Sequence, residues 1–150
     1  ENFNKEEYKK KMKSDTDVTN VLKEDGVLFV ELQKYENIST VNLEKIREEL
    51  GAGSWAARIA YNDVFGGVLI QQHPGEGNRK HFHPDADENW VILDGEWEWW
   101  IEGLGTQTVR KHDIVVVPRG TWHKITCVGS KPGVRYAVTR PDVNHVYENE

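Results

Sequence analysis

The sequence predicts an all-β domain, either a sandwich or a closed barrel, that is preceded by a small α/β extension. From residue 54 onward, short segments rich in β-branched and aromatic residues alternate with turn residues, and no helical pattern separates them. Asp94-Gly95 lies between two of these segments and is a typical hairpin turn. Strands at this spacing are characteristic of sandwiches and barrels. We therefore divide the chain into an extension, residues 1–53, and a β domain, residues 54–150, which ends in a C-terminal tail.

Three elements are predicted in the extension. The charged segment Glu6–Asp15 predicts a short helix or a frayed end. Gly26–Leu32 is rich in β-branched and aromatic residues and predicts a strand. Asn42–Gly51 predicts a short helix, because its asparagine can cap the first turn, its leucines and isoleucine form one apolar stripe, and its glycine can end the helix.

The β domain is predicted to contain nine strands. In the fifth, alternation places Trp97, Trp99 and Ile101 toward the core and three glutamates toward solvent. Trp100 shares the acidic face, which favours a contact with another strand or with a second subunit. The predicted strands are Trp55–Tyr61, Gly67–His73, Arg79–His83, Asn89–Leu93, Glu96–Glu102, Thr106–Arg110, Ile114–Val117, Trp122–Cys127 and Val134–Thr139.

A group of histidines and one glutamate predicts a transition-metal site. His81 and His83 alternate with Phe82 in a strand, so both imidazoles point to the same face. Glu88 follows on the next strand, and His123 is a fourth candidate ligand. Imidazole and carboxylate groups that converge in this way suit a divalent transition metal. Each residue taken singly is equally compatible with a structural role.

The spacing of these residues resembles the two sequence motifs of the cupin superfamily. Gly75, His81, His83, Glu88 and Gly95 match the first motif, and Pro118, Gly120 and His123 match the second. His112 stands where the second motif has a glycine, and Cys127 stands where it has an asparagine. The resemblance implies a double-stranded β-helix, or jelly-roll, barrel. It also implies one divalent metal held by His81, His83, Glu88 and His123.

Polar residues around the predicted metal site suggest a small polar or anionic substrate. Arginine recognises carboxylate and phosphate groups through paired hydrogen bonds, and tyrosine can act as a general acid or base. Either kind of residue can equally be an ordinary surface group. Tyr61 and Tyr136 are the candidate catalytic residues. The candidate substrate-binding residues are Arg58, Lys80, Trp90, Cys127 and Arg135.

The predicted function is a metal-dependent enzyme, with an Fe(II)-dependent dioxygenase favoured. The basic pair Arg79 and Lys80 before the ligands resembles a feature of aromatic-ring-cleaving cupin dioxygenases. Fe(II), Mn, Ni, Co and Zn all suit three imidazoles and a carboxylate. A non-redox lyase or a sugar (phosphate) isomerase that uses Mn, Ni or Zn therefore stays open. Two further alternatives also stay open: a metal-containing binding module without catalysis, and a metal-free structural cupin.

Composition restricts the partners of the chain. The 150 residues carry a net charge of −6, which argues against nucleic-acid binding. No apolar run approaches the ~18 residues that a membrane span needs. One cysteine excludes an internal disulfide and suits a reducing compartment, so we expect a cytoplasmic protein. The resemblance to cupins, together with Trp100, predicts a homodimer that binds a small-molecule substrate.

Overall fold

A computed structural model, which describes residues 12–148, confirms the predicted all-β fold. Within these residues the chain forms twelve strands, one 3-10 turn at Asp15–Asp17, and two helices, α1 (Val18–Glu24) and α2 (Leu43–Leu50). The strands are β1 (Met12–Ser14), β2 (Phe29–Glu31), β3 (Trp55–Tyr61), β4 (Gly66–Gln72), β5 (Gly77–Phe82), β6 (Glu88–Asp94), β7 (Glu96–Ile101), β8 (Gly105–Arg110), β9 (Ile114–Val117), β10 (His123–Val128), β11 (Gly133–Thr139) and β12 (Asn144–Tyr147).

The strands form two six-stranded sheets. The first sheet has the order β1-β12-β5-β10-β7-β8, and the second has the order β2-β3-β4-β11-β6-β9. The nine strands predicted from the sequence are all present, with ends that differ by no more than two residues. Consecutive strands often lie in different sheets, so the chain winds back and forth between the two layers. This winding is the double-stranded β-helix.

The extension contributes one edge strand to each sheet. β1 pairs antiparallel with β12, and β2 pairs parallel with β3. The short helix or frayed end predicted over Glu6–Asp15 lies mostly outside the described residues. Where the structure describes this segment, the predicted helix is wrong, because residues 12–14 form β1 instead. The C-terminal tail contains a strand as well, since β12 pairs with β5. The first and last described strands therefore lie side by side at one edge of the first sheet.

The two helices cover different parts of the second sheet. In α1, Val18, Val21 and Leu22 are buried at helical spacing, and Val18 and Leu22 pack in one cluster with Ile70 of β4. The helix α2 begins where predicted, because the Asn42 side chain accepts a hydrogen bond of 3.0 Å from the amide of Lys45. Its buried isoleucine packs with apolar side chains from β3, β4 and β11.

The core between the sheets is rich in tryptophan. Trp97 and Trp99 are fully buried, as the alternation in β7 predicts. Trp90 of β6 meets Trp99 edge to face, with ring centroids 5.1 Å apart. Trp100 lies on the other face of β7, where the Lys80 ammonium is 4.9 Å from its ring centroid. Within this subunit Trp100 thus contacts β5, which lies two strands away in the same sheet.

Two turns of the β domain, at Gly95 and His112, adopt a left-handed backbone. Gly95 has a φ of 79° in the predicted hairpin turn, and a Cβ there would lie 2.5 Å from Gly133 Cα. His112, at the position where the cupin motif has glycine, has a φ of 82°. This conformation costs energy in a non-glycine residue. The amide of His112 donates a 2.9 Å hydrogen bond to the carbonyl of Ile92, which helps to hold the turn.

Over the described range, neither helix is long and apolar enough to cross a lipid bilayer.

Candidate metal centre

Neighbouring strands bring the four predicted ligands to one end of the barrel. His81 lies at the end of β5 and His83 directly follows that strand, while Glu88 begins β6 and His123 begins β10. In the first sheet His123 is the register partner of His81. Side chains that are register partners point to the same face of an antiparallel pair. The three histidines therefore converge because the end of β5 and the start of β10 meet in the first sheet, and Glu88 joins them from β6 of the second sheet.

The distances are those of a cluster ready to hold a cation. His83 Nε2 lies 2.7 Å from Glu88 Oε1, and His123 Nε2 lies 3.9 Å from the same oxygen. The ring of His81 is 4.9 Å from that of His83 and 4.3 Å from that of His123, measured between centroids. All four side chains are less than a tenth exposed. Three of them, His83, Glu88 and His123, place one potential ligand atom each within 4.8 Å of one another.

The hydrogen bonds of the three imidazoles fit a bound metal. The Nδ1 atoms of His81, His83 and His123 lie 2.6, 2.9 and 3.0 Å from the carbonyl oxygens of Arg79, Asn144 and Thr121. These bonds fix the ring orientations and leave each Nε2 free to act as a ligand. His83 Nε2, His123 Nε2 and Glu88 Oε1 are buried without a hydrogen bond of acceptable geometry to any described residue. Buried polar atoms without well-formed hydrogen bonds are costly, and a divalent cation would satisfy all three.

Electrostatics divides the imidazoles into one that holds a proton and two that do not. Burial lowers the pKa of His83, but the adjacent Glu88 carboxylate outweighs this effect and the pKa is raised. Burial and the positive charge of His83 lower the pKa of His123 to about 4. Burial and the neighbouring imidazoles also hold the pKa of His81 well below its usual value. The metal-free cluster therefore contains an ion pair between His83 and Glu88.

We expect metal binding to release a proton from His83. The raised pKa means that His83 holds its proton more firmly than an ordinary imidazole, and a cation at Nε2 must displace that proton. Apparent metal affinity should therefore rise with pH, and more protons should be released on binding at pH 6 than at pH 8. Calorimetric titration with Zn(II) in buffers of different ionisation enthalpy measures this number.

The matched variant is Glu88→Gln, which removes the charge that raises the pKa of His83. Burial is then the largest remaining effect on the pKa of the imidazole, so the proton release at pH 6 should fall while metal binding weakens. A wild-type titration at pH 6 without proton release would contradict the ion pair.

A partly open cavity of about 50 Å³ adjoins the cluster. Of the predicted substrate-binding residues, Arg135 lines it, together with the ligands His81 and Glu88. One side of the wall is apolar and is formed by α1 and by strands of the second sheet. The remaining lining residues are Asp15, Val18, Val21, Leu22, Gly66, Val68, Ile70, Asn78, Ala137, Thr139, Val143 and His145.

Arg58 and Tyr61 do not line the cavity. Arg58 donates a 3.0 Å bond to Glu36, and its guanidinium stacks 3.8 Å from the centroid of the Tyr61 ring. The Tyr61 hydroxyl donates a 2.6 Å bond to Asp142, and this bond raises the pKa of the tyrosine. Both side chains are therefore already engaged at the end of β3.

Lys80 and Tyr136 point away from the ligands for a reason of parity. Lys80 precedes His81 in β5 and so faces outward, where its ammonium bonds Glu148 at 3.0 Å. Tyr136 follows Arg135 in β11 and packs with the cluster under α2. Its ring lies so close to Gly67 that a Cβ there would be 2.1 Å from its hydroxyl. Neither side chain is brought together with the metal ligands.

Trp90 and Cys127 face inward but belong to the core. The Trp90 ring is 5.5 Å from that of His123, edge to face, so it supports this ligand from behind. Cys127 is fully buried, and its thiol lies 3.5 Å from the carbonyl oxygen of Gln72. Burial raises the pKa of this thiol, which favours its neutral form.

Two residues that the sequence analysis did not single out lie at the site. Asp15 lines the cavity from the 3-10 turn before α1, and burial together with the charge of Glu88 raises its pKa to about 7. His145 lines the cavity from β12. The sequence carries a signal for His145. Residues 144–147 are a short segment rich in strand-forming residues, and in a strand His145 and Tyr147 point to the same face. The sequence carries no signal for Asp15, which stands in a charged stretch.

Comparison with known proteins agrees with this geometry. The sequence profile of the family described as "Cupin domain" matches residues 68–140. Among curated protein sequences, none matches the chain significantly. Many solved structures share the fold.

Three of these structures illustrate the likeness. A double-stranded β-helix protein from Klebsiella pneumoniae is 17% identical over 75% of this chain and 100% of its own, with a TM-score of 0.63. KdgF from Halomonas is 18% identical over 61% of this chain and 82% of its own, with a TM-score of 0.54. A sugar phosphate isomerase from Silicibacter pomeroyi is 19% identical over 58% of each chain, with a TM-score of 0.52.

The family match covers every predicted metal ligand, and the two sheets have the winding of a double-stranded β-helix. The chain therefore belongs to the cupin superfamily.

Proposed function

We propose that this protein is a metal-dependent enzyme that acts on a small anionic substrate. One observation carries the proposal: the buried guanidinium of Arg135 lines the same cavity as the ligands His81 and Glu88. A metal would hold one end of a substrate there, and Arg135 would neutralise its charge.

Arg135 has the features of an anion-binding residue. Its side chain is 1% exposed, and one terminal nitrogen donates a 2.9 Å bond to the side-chain oxygen of Gln72. Nε is buried without a partner, and the guanidinium forms no ion pair with the residues described. Burial lowers its pKa to about 10, so it remains charged at neutral pH. An unpaired buried charge is costly, and an anionic ligand would offset that cost.

The size of the cavity limits the substrate. About 50 Å³ holds a few water molecules and is the scale of a small carboxylic acid. Gln72 is itself fixed by a 3.1 Å bond to the carbonyl of Gly77, so the guanidinium has a set position. A small acid bound between metal and guanidinium would be oriented by two fixed charges.

A bound metal polarises a carbonyl group or lowers the pKa of a coordinated water or hydroxyl. Non-redox chemistry of the lyase or isomerase kind is favoured by Asp15, a carboxyl group in the cavity with a pKa near 7. The resemblance to ring-cleaving dioxygenases rested on the basic pair Arg79 and Lys80, and this pair no longer supports that reaction. Arg79 is bonded to Asp25 at 2.7 Å and Lys80 to Glu148, so neither side chain faces the cavity.

An Fe(II)-dependent dioxygenase is the second candidate. It is favoured by the apolar wall that Val18, Val21 and Leu22 of α1 form over the cavity, because a dry site protects reactive oxygen species from water. Metal content and turnover separate the two candidates.

The first experiment is elemental analysis of untagged protein that is purified without chelator at low oxygen. The metal-loaded protein is then incubated in D2O with small 2-hydroxy and 2-oxo acids, and proton exchange is followed by NMR beside oxygen uptake. Exchange without oxygen uptake supports the non-redox reaction. Oxygen consumption with stoichiometric iron supports the dioxygenase. A protein that neither contains nor takes up metal would overturn the enzyme proposal.

Arg135→Gln tests the substrate class. We expect the variant to keep its metal and to lose carboxylate affinity by about 10–100-fold, because a charge-assisted hydrogen bond contributes about 1.5–3 kcal/mol. Calorimetric titration of glycolate into the metal-loaded protein measures this loss. Arg110→Gln, on an exposed arginine that pairs with Glu96, is the control and should bind glycolate like the wild type. Equal affinity in both variants would contradict a role for Arg135.

A further inference from the structure

The strand β12 places a fifth potential ligand beside the predicted four. In its pairing with β5, Tyr147 is the register partner of His81 and Val146 that of Phe82. Continuing this antiparallel register by one pair sets His145 opposite His83. Side chains that are opposite each other lie on one face, so His145 points to the same side as the two histidines of the first motif.

The contacts of His145 agree with this register. Its ring centroid lies 4.6 Å from that of His83 and 5.4 Å from that of His81. On its other side the ring stacks on Tyr147, with an angle of 9° between the planes. The three imidazoles of His81, His83 and His145 place one nitrogen each within 4.8 Å of one another. Two donors that are each about 2.1 Å from one ion are at most ~4.2 Å apart, so small shifts bring all three to a common metal.

The hydrogen bonding of His145 leaves one nitrogen for this purpose. Its Nδ1 is buried without a hydrogen bond partner among the described residues. The side chain also bonds the backbone of Lys13, which is its register partner in β1, and the backbone of Val143. The edge strand β1 thus orients the ring, as a carbonyl commonly orients a metal-bound histidine.

We propose that His145 is a further protein ligand of the metal and donates through Nδ1. The inference rests on the metal site of the proposed function. Five protein ligands leave one open position in an octahedral shell, so the substrate would bind through one atom or would displace an existing ligand. The residue lies outside both sequence motifs and outside the stretch that matches the cupin family, so it would be particular to chains that add β12 in this way.

X-ray absorption of the Co(II)-loaded wild-type protein tests the ligand count directly. The signal from imidazole rings should correspond to four histidines, and in His145→Ala it should fall to three. Competition titration of Co(II) should show an affinity at least ~100-fold weaker in the variant, which exceeds the loss typical for groups that only orient a ligand, and added imidazole should restore part of it. His112→Asn is the matched control, because it removes an exposed histidine and keeps a residue type that tolerates positive φ.

The outcomes are separable from those of the proposed function. Three imidazoles in the wild-type protein would overturn the role of His145 and leave the four-ligand site intact, whether or not the variant folds. Equal Co(II) affinity in His145→Ala and His112→Asn would do the same. Absence of Co(II) binding in the wild type would overturn both the inference and the proposed function.

Discussion

His123→Ala should lose stoichiometric metal and all metal-dependent activity while the barrel stays folded. His123 is fully buried, and its Nε2 has no hydrogen bond partner among the described residues. Removing it deletes a ligand at the centre of the cluster, since its ring is within 5.5 Å of those of His81, His83 and Trp90. We expect metal affinity to fall at least 100-fold, which exceeds the loss typical for groups that only orient a ligand.

The stability of the metal-free variant should change much less than its metal affinity. The substitution leaves a cavity, but it also removes a buried nitrogen that is unsatisfied in the metal-free protein, and these two effects oppose each other. Elemental analysis, calorimetric metal titration and thermal unfolding measure the three quantities. His73→Gln changes a histidine whose ring contacts the carbonyl of Ala52, outside the cluster, and should behave like the wild type. Full activity with stoichiometric metal in His123→Ala would contradict the four-ligand set.

Local rules account for the part of the site that the sequence predicted. His81 and His83 share a face because side chains alternate in any strand, and the hairpin at Asp94-Gly95 follows from the turn preference of that dipeptide. Motif spacing then added Glu88 and His123, whose positions depend on strands that are distant in the chain. Each of these steps uses information within about fifty residues.

Alternation also explains why some predicted contacts are not made. Lys80 and Tyr136 are each one residue away from a side chain that faces the cavity, so they face the opposite side of their strands. The register alone settles this, because a shift of one residue exchanges the two faces of a strand. Arg135, by contrast, has the inward parity and reaches the cavity.

The residues that the sequence analysis missed come from the two ends of the chain. Asp15 and His145 reach the cavity because β1, β12 and β5 lie side by side, although they are separated by more than sixty residues. No local propensity specifies such pairing. The apolar spacing of Val18, Val21 and Leu22 does predict a helix, but only the tertiary structure shows that this helix covers the cavity.

Asp15→Asn should stabilise the metal-free protein strongly at high pH and hardly at low pH. Asp15 is half-buried in the cavity, and burial and the charge of Glu88 raise its pKa from 3.8 to about 7. Below pH 3.8 the carboxyl group is protonated in both the folded and the unfolded state, so it has no effect on the free energy of unfolding. Between about pH 4 and pH 7 the unfolded chain ionises while the folded protein keeps its proton, so stability falls as pH rises. Above pH 7 the loss is complete, and a shift of this size corresponds to about 4 kcal/mol.

Asparagine cannot ionise, so the variant escapes this loss. We expect it to exceed the wild type by roughly 2–4 kcal/mol in the free energy of unfolding at pH 8 and by less than about 1 kcal/mol at pH 4. Urea unfolding in the presence of a chelator measures both values. Asp17→Asn removes an exposed carboxylate from the same 3-10 turn and should leave the pH dependence unchanged. With metal bound the advantage of Asp15→Asn should shrink, because a nearby dication favours the ionised carboxylate. If both variants respond to pH alike, the carboxyl group of Asp15 does not lie in the cavity beside the metal site.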